Sequence, residues 1–210
     1  MNQTGLEVEP ESPASINHNP TVPEIDASLP QYSIPSPPTG IVLDPTPVDL
    51  RSVLSKERAI SLCKILLKRL VWMFSIVTEE HLVETLIPAA YYPNRMDSLR
   101  CSPHDLALLL TALAIGVLVD FDLGLDIEVA QLYIRLAWST ALLPALPTIA
   151  TVKTLHLMSI YHGMAGDKYD SHRLLISAWQ CLHHVGFIFR DFTAIEADIG
   201  LVDQITCVAI

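Results

Sequence analysis

Residues 147–170 read PTIATVKTLHLMSIYHGMAGDKYD, and this stretch decides the fold. Its apolar residues recur at steps of three, at Ile149, Val152, Leu155, Met158 and Tyr161. Such spacing places them on one face of an α-helix, which must bury that face to be stable. Further apolar residues widen the face, so we expect the helix to contact more than one neighbour. Gly163 and Gly166 are expected to end it.

Five other segments show helical periodicity between start and stop residues, and they cover about 55–74, 78–88, 102–119, 127–142 and 171–185. The clearest start is the run SPHD at 102–105, with Ser as the cap, Pro at the first helical position and Asp completing a capping box. Pro88 and Gly186 are each expected to end a helix. Because no alternating strand pattern intervenes, the sequence predicts an all-α fold, an irregular bundle of about six helices.

The composition changes near residue 54 and divides the chain into regions. Residues 1–50 hold 10 of the 15 prolines, seven acidic residues and no Lys or Arg. Such a segment buries too little apolar surface to offset the entropy lost on ordering. We therefore expect a disordered, acidic, Pro-rich arm over 1–54, a helical domain over 55–186 and a separate tail over 187–210.

The charge and hydropathy patterns exclude several classes of function. The net charge is −10 and no segment is strongly basic, so we expect no direct contact with nucleic acid. The longest apolar run, 106–119, is shorter than the ~18 residues of a membrane span and is expected to be a buried helix. The four cysteines lack CxxC spacing and the start of the chain lacks a secretory signal, which indicates reduced thiols in an intracellular protein.

Two patterns suggest a metal site, and neither has the spacing that a metal requires. Acidic residues alternate over 120–126, but the glycine and the glutamate of a calcium loop do not fall at the required positions. His156 and His162 lie six residues apart, whereas two ligands on one helical face are best placed three or four apart. Cys181 and His184 have that spacing but make only half a site. We therefore expect no metal or cofactor ligands in this chain.

The residue types of a hydrolytic triad occur around Ser159. His156 and His162 lie on the same predicted helix, and Asp167 and Asp170 follow it. A nucleophilic serine needs a strained, exposed turn, whereas Ser159 lies mid-helix between apolar residues. We expect this serine to allow close helix approach or to bond the carbonyl four residues earlier. We therefore predict that the chain is not an enzyme.

Three blocks of the chain carry a family resemblance. The most specific block comprises residues 150–152, 155–164 and 166–170, and the others are 62–86 and 132–137. All three resemble the middle homology region of fungal zinc-cluster transcription factors. The similarity extends from about residue 54 to about residue 186.

This resemblance implies a helical regulatory domain that takes part in transcription regulation in the nucleus. It implies protein partners, either the transcription machinery or a DNA-binding protomer, together with a small-molecule effector and no membrane. The residues of its signature would have a structural role, and here they are Leu155, His156, Met158, Tyr161, His162, Gly163, Trp72 and Phe74.

The chain departs from the family at both ends. Residues 1–54 contain no cysteine, so the family's zinc cluster, and with it zinc and DNA binding, is expected to lie outside this chain. After Gly186 the family wording is lost, and residues 192–210 contain no Lys or Arg. We therefore expect a truncated product whose apolar helix faces are exposed.

The alternative function is that of a stand-alone helical protein that binds a small molecule. Its site would be a pocket between helices, lined by the aromatic residues Trp72, Phe74, Trp138, Tyr161, Tyr169 and Trp179. Aromatic residues at helical spacing more commonly fill a core, and we expect these to do so.

Overall fold

The fold comes from a computed structural model of the chain, and the structure describes residues 36–37, 49–70, 76–92, 101–122, 124, 126–141 and 146–189, with side chains to residue 186. The elements are α1 (Leu50–Val53), α2 (Lys56–Leu70), a π-helix (Glu80–Leu86), α3 (Ile87–Tyr91), α4 (Pro103–Leu118), α5 (Ile127–Ala141), α6 (Ile149–Met164) and α7 (Lys168–Phe189). No strand occurs within these ranges, which confirms the prediction of an all-α fold. Most of the predicted disordered arm, the predicted tail beyond 189, and Trp72 and Phe74 lie outside the described residues.

Helix α4 forms the centre of the bundle. Residues 107–120 are buried without interruption, as expected for a helix that is apolar on all sides. Helices α2, α5 and α6 all pack against α4, and α7 packs against α6. No helix in the described part of the chain is both long and apolar enough to cross a membrane.

The close approach of α2 and α4 depends on Gly116. A Cβ atom placed on Gly116 would lie 2.7 Å from the carbonyl oxygen of Leu62 and 3.1 Å from its Cβ. At one end of the same interface, Arg58 of α2 donates a 2.8 Å hydrogen bond to Asp120, which follows α4 and is buried. The two helices are therefore joined by close backbone packing and by a largely buried ion pair.

Side-chain caps start two of the helices. At the start of α4 the Ser102 hydroxyl accepts from the Asp105 N–H at 3.1 Å, as predicted, whereas the Asp105 carboxylate accepts from the Ser102 hydroxyl at 2.7 Å rather than from the backbone N–H. At the start of α6, the Thr148 hydroxyl accepts from the Thr151 N–H at 3.3 Å and the Thr151 hydroxyl accepts from the Thr148 N–H at 3.0 Å. Each pair satisfies backbone donors that the first turn of a helix leaves open.

Two predicted stops were wrong. Pro88 does not end its helix, because the chain changes from the π-helix to α3 at Ile87 and Pro88 lies in the first turn of α3, where no N–H is needed. Gly186 does not end α7, which continues to Phe189. A glycine stops a helix by adopting positive φ, and among the described glycines only Gly124 and Gly166 do so.

The last residues of the predicted arm are folded. Residues 50–53 form α1, and Leu50 is buried in the core. Asp49 caps this short helix by accepting from the Arg51 N–H at 3.1 Å. The packed region therefore begins earlier than the composition indicates.

Candidate functional site

Helix α6 carries six of the eight signature residues, and five of these six are buried. The buried ones are Leu155, His156, Met158, Tyr161 and His162. Gly163 lies on the exposed side of the last turn. Because α6 packs against α4 on one side and α7 on another, the predicted contact with more than one neighbour is confirmed.

The start of α6 is joined to the start of α4 by a polar contact. The hydroxyl of Thr151 and Nδ1 of His104 lie 3.1 Å apart, and both side chains are buried. Burial lowers the pKa of His104, although the nearby Asp105 carboxylate opposes this shift. A neutral imidazole can serve as either donor or acceptor to the threonine hydroxyl.

In the middle of α6, His156 is held in its neutral form. Burial of this side chain lowers its pKa to about 4. At neutral pH the ring is therefore uncharged inside the core, where a charged ring would be costly.

Ser159 joins α6 to α7. Its hydroxyl donates a 2.8 Å hydrogen bond to the carbonyl oxygen of Ser171. One turn further along α6, a Cβ atom placed on Gly163 would lie 3.1 Å from the Ser171 hydroxyl oxygen. Of the two roles expected for Ser159, close helix approach matches the structure, and the hydrogen bond crosses to the neighbouring helix rather than returning along α6. Its hydroxyl proton is thus engaged in packing.

A polar cluster occupies the turn between α6 and α7 and consists of His162, Asp167, Asp170 and Arg173. His162 Nδ1 lies 3.9 Å from Asp167 Oδ2, and Arg173 donates to Asp170 Oδ1 from Nε at 2.9 Å and from Nη2 at 2.8 Å. One ligand atom from each of the histidine and the two aspartates lies within 4.8 Å of the others, and among the described residues this is the group close enough to hold a cation.

The charges in this cluster act against one another. Burial lowers the pKa of His162, whereas the Asp170 and Asp167 carboxylates raise it. The backbone N–H of Asp170, which donates to Asp167 Oδ1 at 3.0 Å, is the main reason that the pKa of Asp167 is lowered. Asp167 is therefore available as a carboxylate beside a mainly neutral imidazole at neutral pH.

Arg173 also reaches the described part of the Pro-rich arm. Its Nη1 atom donates a 2.7 Å hydrogen bond to the carbonyl oxygen of Ser36. The same guanidinium therefore bonds both the cluster and residue 36 of the arm.

The acidic loop after α4 does not gather its carboxylates around one point. Asp120 pairs with Arg58, Asp122 lies 3.7 Å from Arg69, and Asp126 caps α5 by accepting from the Val129 N–H at 3.1 Å. Each aspartate is used separately, which agrees with the interpretation of this segment as an interhelical loop.

The aromatic residues of the alternative pocket are dispersed. Trp138 is fully buried and Tyr161 nearly so, and both belong to the apolar core. Trp179 is partly buried against that core, whereas 79% of Tyr169 is exposed. Trp138 and Tyr161 therefore fill the core, as expected from the sequence, whereas Tyr169 does not.

Sequence reasoning named His162, Asp167 and Asp170 together only as residue types of a hydrolytic triad and did not consider them as a metal site. His162 was paired with His156, although its neighbours in space are Asp167 and Asp170. The spacing of five and eight residues fits no single helical face, because Gly166, with φ of 89°, reverses the chain between the two helices. The sequence contained one signal for this cluster, which was a predicted helix–glycine–helix turn with polar residues on both sides.

No family model, curated protein or solved structure matches this chain.

Proposed function

We propose that this chain is a regulatory and protein-interaction domain that takes part in transcription regulation, of the kind found in fungal zinc-cluster transcription factors. The observation that carries the proposal is the resemblance of residues 150–170, which form most of α6 and the turn into α7. In the fold this stretch contacts both α4 and α7 and is largely buried. The segment with the most specific resemblance is therefore also the segment on which the packing of the second half of the chain depends.

The electrostatic character of the chain supports a role exerted through proteins. With a net charge of −10, the chain repels the phosphate backbone of nucleic acid. We infer that it acts in the nucleus through the transcription machinery or through a DNA-binding protomer that supplies the zinc cluster. Its role is to present surfaces to partners, without a catalytic step.

The test is a tethering assay. The full chain is fused to a heterologous DNA-binding module and expressed in a fungal host that carries a reporter gene with the matching site. We expect reporter transcription to change relative to the module alone, in either direction. An unchanged reporter, with the fusion present in the nucleus at the level of the module alone, would contradict the proposal.

Two variants with the same substitution distinguish a folded domain from an unspecific effect. Leu155 is buried on α6, whereas Leu146 precedes α6 and is 73% exposed. Leu155→Asp places a charge in the core and is expected to abolish the effect on the reporter. Leu146→Asp is expected to retain the effect on the reporter. If neither variant loses this effect, the helical domain is not responsible for it.

A further inference from the structure

The cluster at the turn between α6 and α7 contains three side chains of the kinds that transition metals accept as ligands. His162 lies in the last turn of α6, Asp167 lies in the turn and Asp170 belongs to the first turn of α7. One nitrogen and two carboxylate oxygens, one from each residue, lie within 4.8 Å of one another. Imidazole nitrogen together with carboxylate oxygen is a donor set typical of zinc and its neighbours in the first transition row.

The other hydrogen bonds of the cluster use one oxygen of each carboxylate. Asp167 Oδ1 accepts the backbone N–H of Asp170 at 3.0 Å, and Asp170 Oδ1 accepts both bonds from Arg173. The second oxygen of Asp167 is directed towards His162, at 3.9 Å from Nδ1. These outer bonds orient the carboxylates in the way that second-shell contacts orient ligands at metal sites.

The histidine is buried and turns one ring nitrogen towards the carboxylates. His162 is only 7% exposed, and its Nε2 atom is buried without a hydrogen-bond partner. Its Nδ1 atom faces Asp167 at a distance longer than a hydrogen bond. A cation bound at Nδ1 would use the lone pair of this nitrogen, which faces the Asp167 carboxylate.

We propose that His162, Asp167 and Asp170 form a binding site for a divalent first-row transition metal ion, with Zn²⁺ as the representative cation. Ligand distances of about 2.1 Å around a tetrahedral ion place neighbouring ligand atoms about 3.4 Å apart. The 3.9 Å between His162 Nδ1 and Asp167 Oδ2 is close to this value, so small side-chain rotations complete the site. Water takes the fourth position.

The surroundings favour a transition metal over Ca²⁺ or Mg²⁺ and leave a route from solvent. Ca²⁺ and Mg²⁺ select oxygen ligands, and an imidazole nitrogen is a poor substitute. The Asp167 side chain is 43% exposed, so an ion can reach the site from solvent through this residue. The Arg173 guanidinium holds Asp170 in place but repels a cation, so we expect moderate affinity.

The experiment is isothermal titration calorimetry of the purified, chelator-treated full chain with ZnCl₂, repeated with CaCl₂ and MgCl₂. We expect one Zn²⁺ site and no binding of the other two ions at the same concentrations. His162→Gln and Asp167→Asn should each weaken Zn²⁺ binding by at least about tenfold. The matched control is His172→Gln, which removes an exposed histidine two residues beyond Asp170 and should leave the affinity unchanged.

Far-ultraviolet circular dichroism establishes that each variant is folded. In the Asp167→Asn variant the side-chain amide oxygen can still accept the Asp170 N–H, so this variant remains informative if His162→Gln unfolds. The proposal is overturned if Zn²⁺ does not bind, if it binds with unchanged affinity to the folded variants, or if His172→Gln alone removes binding. It is independent of the proposed function, because the calorimetric readout does not involve transcription.

Discussion

Replacement of Gly116 by alanine tests whether the centre of the bundle requires a glycine. The new Cβ atom would lie 2.7 Å from the carbonyl oxygen of Leu62, whereas ordinary contact begins at 3.4 Å. Helices α2 and α4 must therefore separate by roughly 0.7 Å, because a backbone oxygen cannot rotate away as a side chain can.

Two opposing effects determine the magnitude. Alanine is favoured over glycine inside a helix by about 1 kcal/mol. Overpacking of a well-packed interior costs about 1–3 kcal/mol, and a clash with backbone belongs at the upper end. We expect Gly116→Ala to lower the free energy of unfolding by about 1–2 kcal/mol, which lowers Tm by roughly 2–8 °C for a domain of this size.

Gly163→Ala is the matched control, because it makes the same substitution in a helix where the new Cβ atom would meet a side chain instead of backbone. Its Cβ would lie 3.1 Å from the hydroxyl oxygen of Ser171, which can move by the few tenths of an ångström required. We therefore expect Gly163→Ala to be neutral or to stabilise the fold by up to about 1 kcal/mol. Urea titrations followed by circular dichroism measure both variants. The reasoning fails if Gly116→Ala is as stable as the original chain, or if both variants lose the same stability.

Three further substitutions test polar contacts in the core. Asp120→Asn should lower the free energy of unfolding by about 2 kcal/mol, because it removes the carboxylate charge that strengthens the hydrogen bond from Arg58. An unchanged urea midpoint would contradict this. Ser159→Ala should cost about 1 kcal/mol by deleting the bond to the Ser171 carbonyl, and retention of full stability in the same titration would show that this bond contributes nothing. The pKa of His156 falls from its ordinary value of 6.5 to about 4 on folding, so the unfolded chain takes up the proton first. The free energy of unfolding should therefore decrease as the pH falls from 6.5 towards 4. Protonation of His156 should not affect it above pH 6.5. Thermal melts of His156→Gln should show a shallower decrease over that interval, and an identical slope would argue against the shift.

The helices that local chemistry specifies could be predicted from the sequence. Ser102 starts α4 as expected, because a cap satisfies backbone donors within the first turn and needs no distant partner. The burial of residues 107–119 also follows from their continuous apolar character. Fold class and the positions of the central helices are therefore encoded locally.

The failures occurred where the effect of a residue depends on distant parts of the chain. Pro88 was compatible with a helix because the preceding turn was a π-helix, a feature without a sequence signal that we could use. Gly186 remained helical and buried in α7, where packing replaced the local preference for a stop. The cluster of His162 with two aspartates depended on the direction of the turn at Gly166, which spacing along one helix cannot show.

Helix α6 is fixed by polar contacts as well as by apolar burial, and this has a consequence for its role. The hydrophobic effect is not directional, so burial by itself does not specify the register of a helix that is apolar on several sides. Thr151 contacts His104 of α4, Ser159 bonds the Ser171 carbonyl of α7, and each of these contacts is possible in one register only. Moving α6 by one residue would leave these buried groups without partners, which costs about 1–3 kcal/mol for each group. The proposed regulatory function would need such a fixed arrangement, because partner proteins would recognise the relative positions of the outer helices. We infer that the polar side chains within the signature helix set that geometry, and that its apolar side chains supply most of the stability.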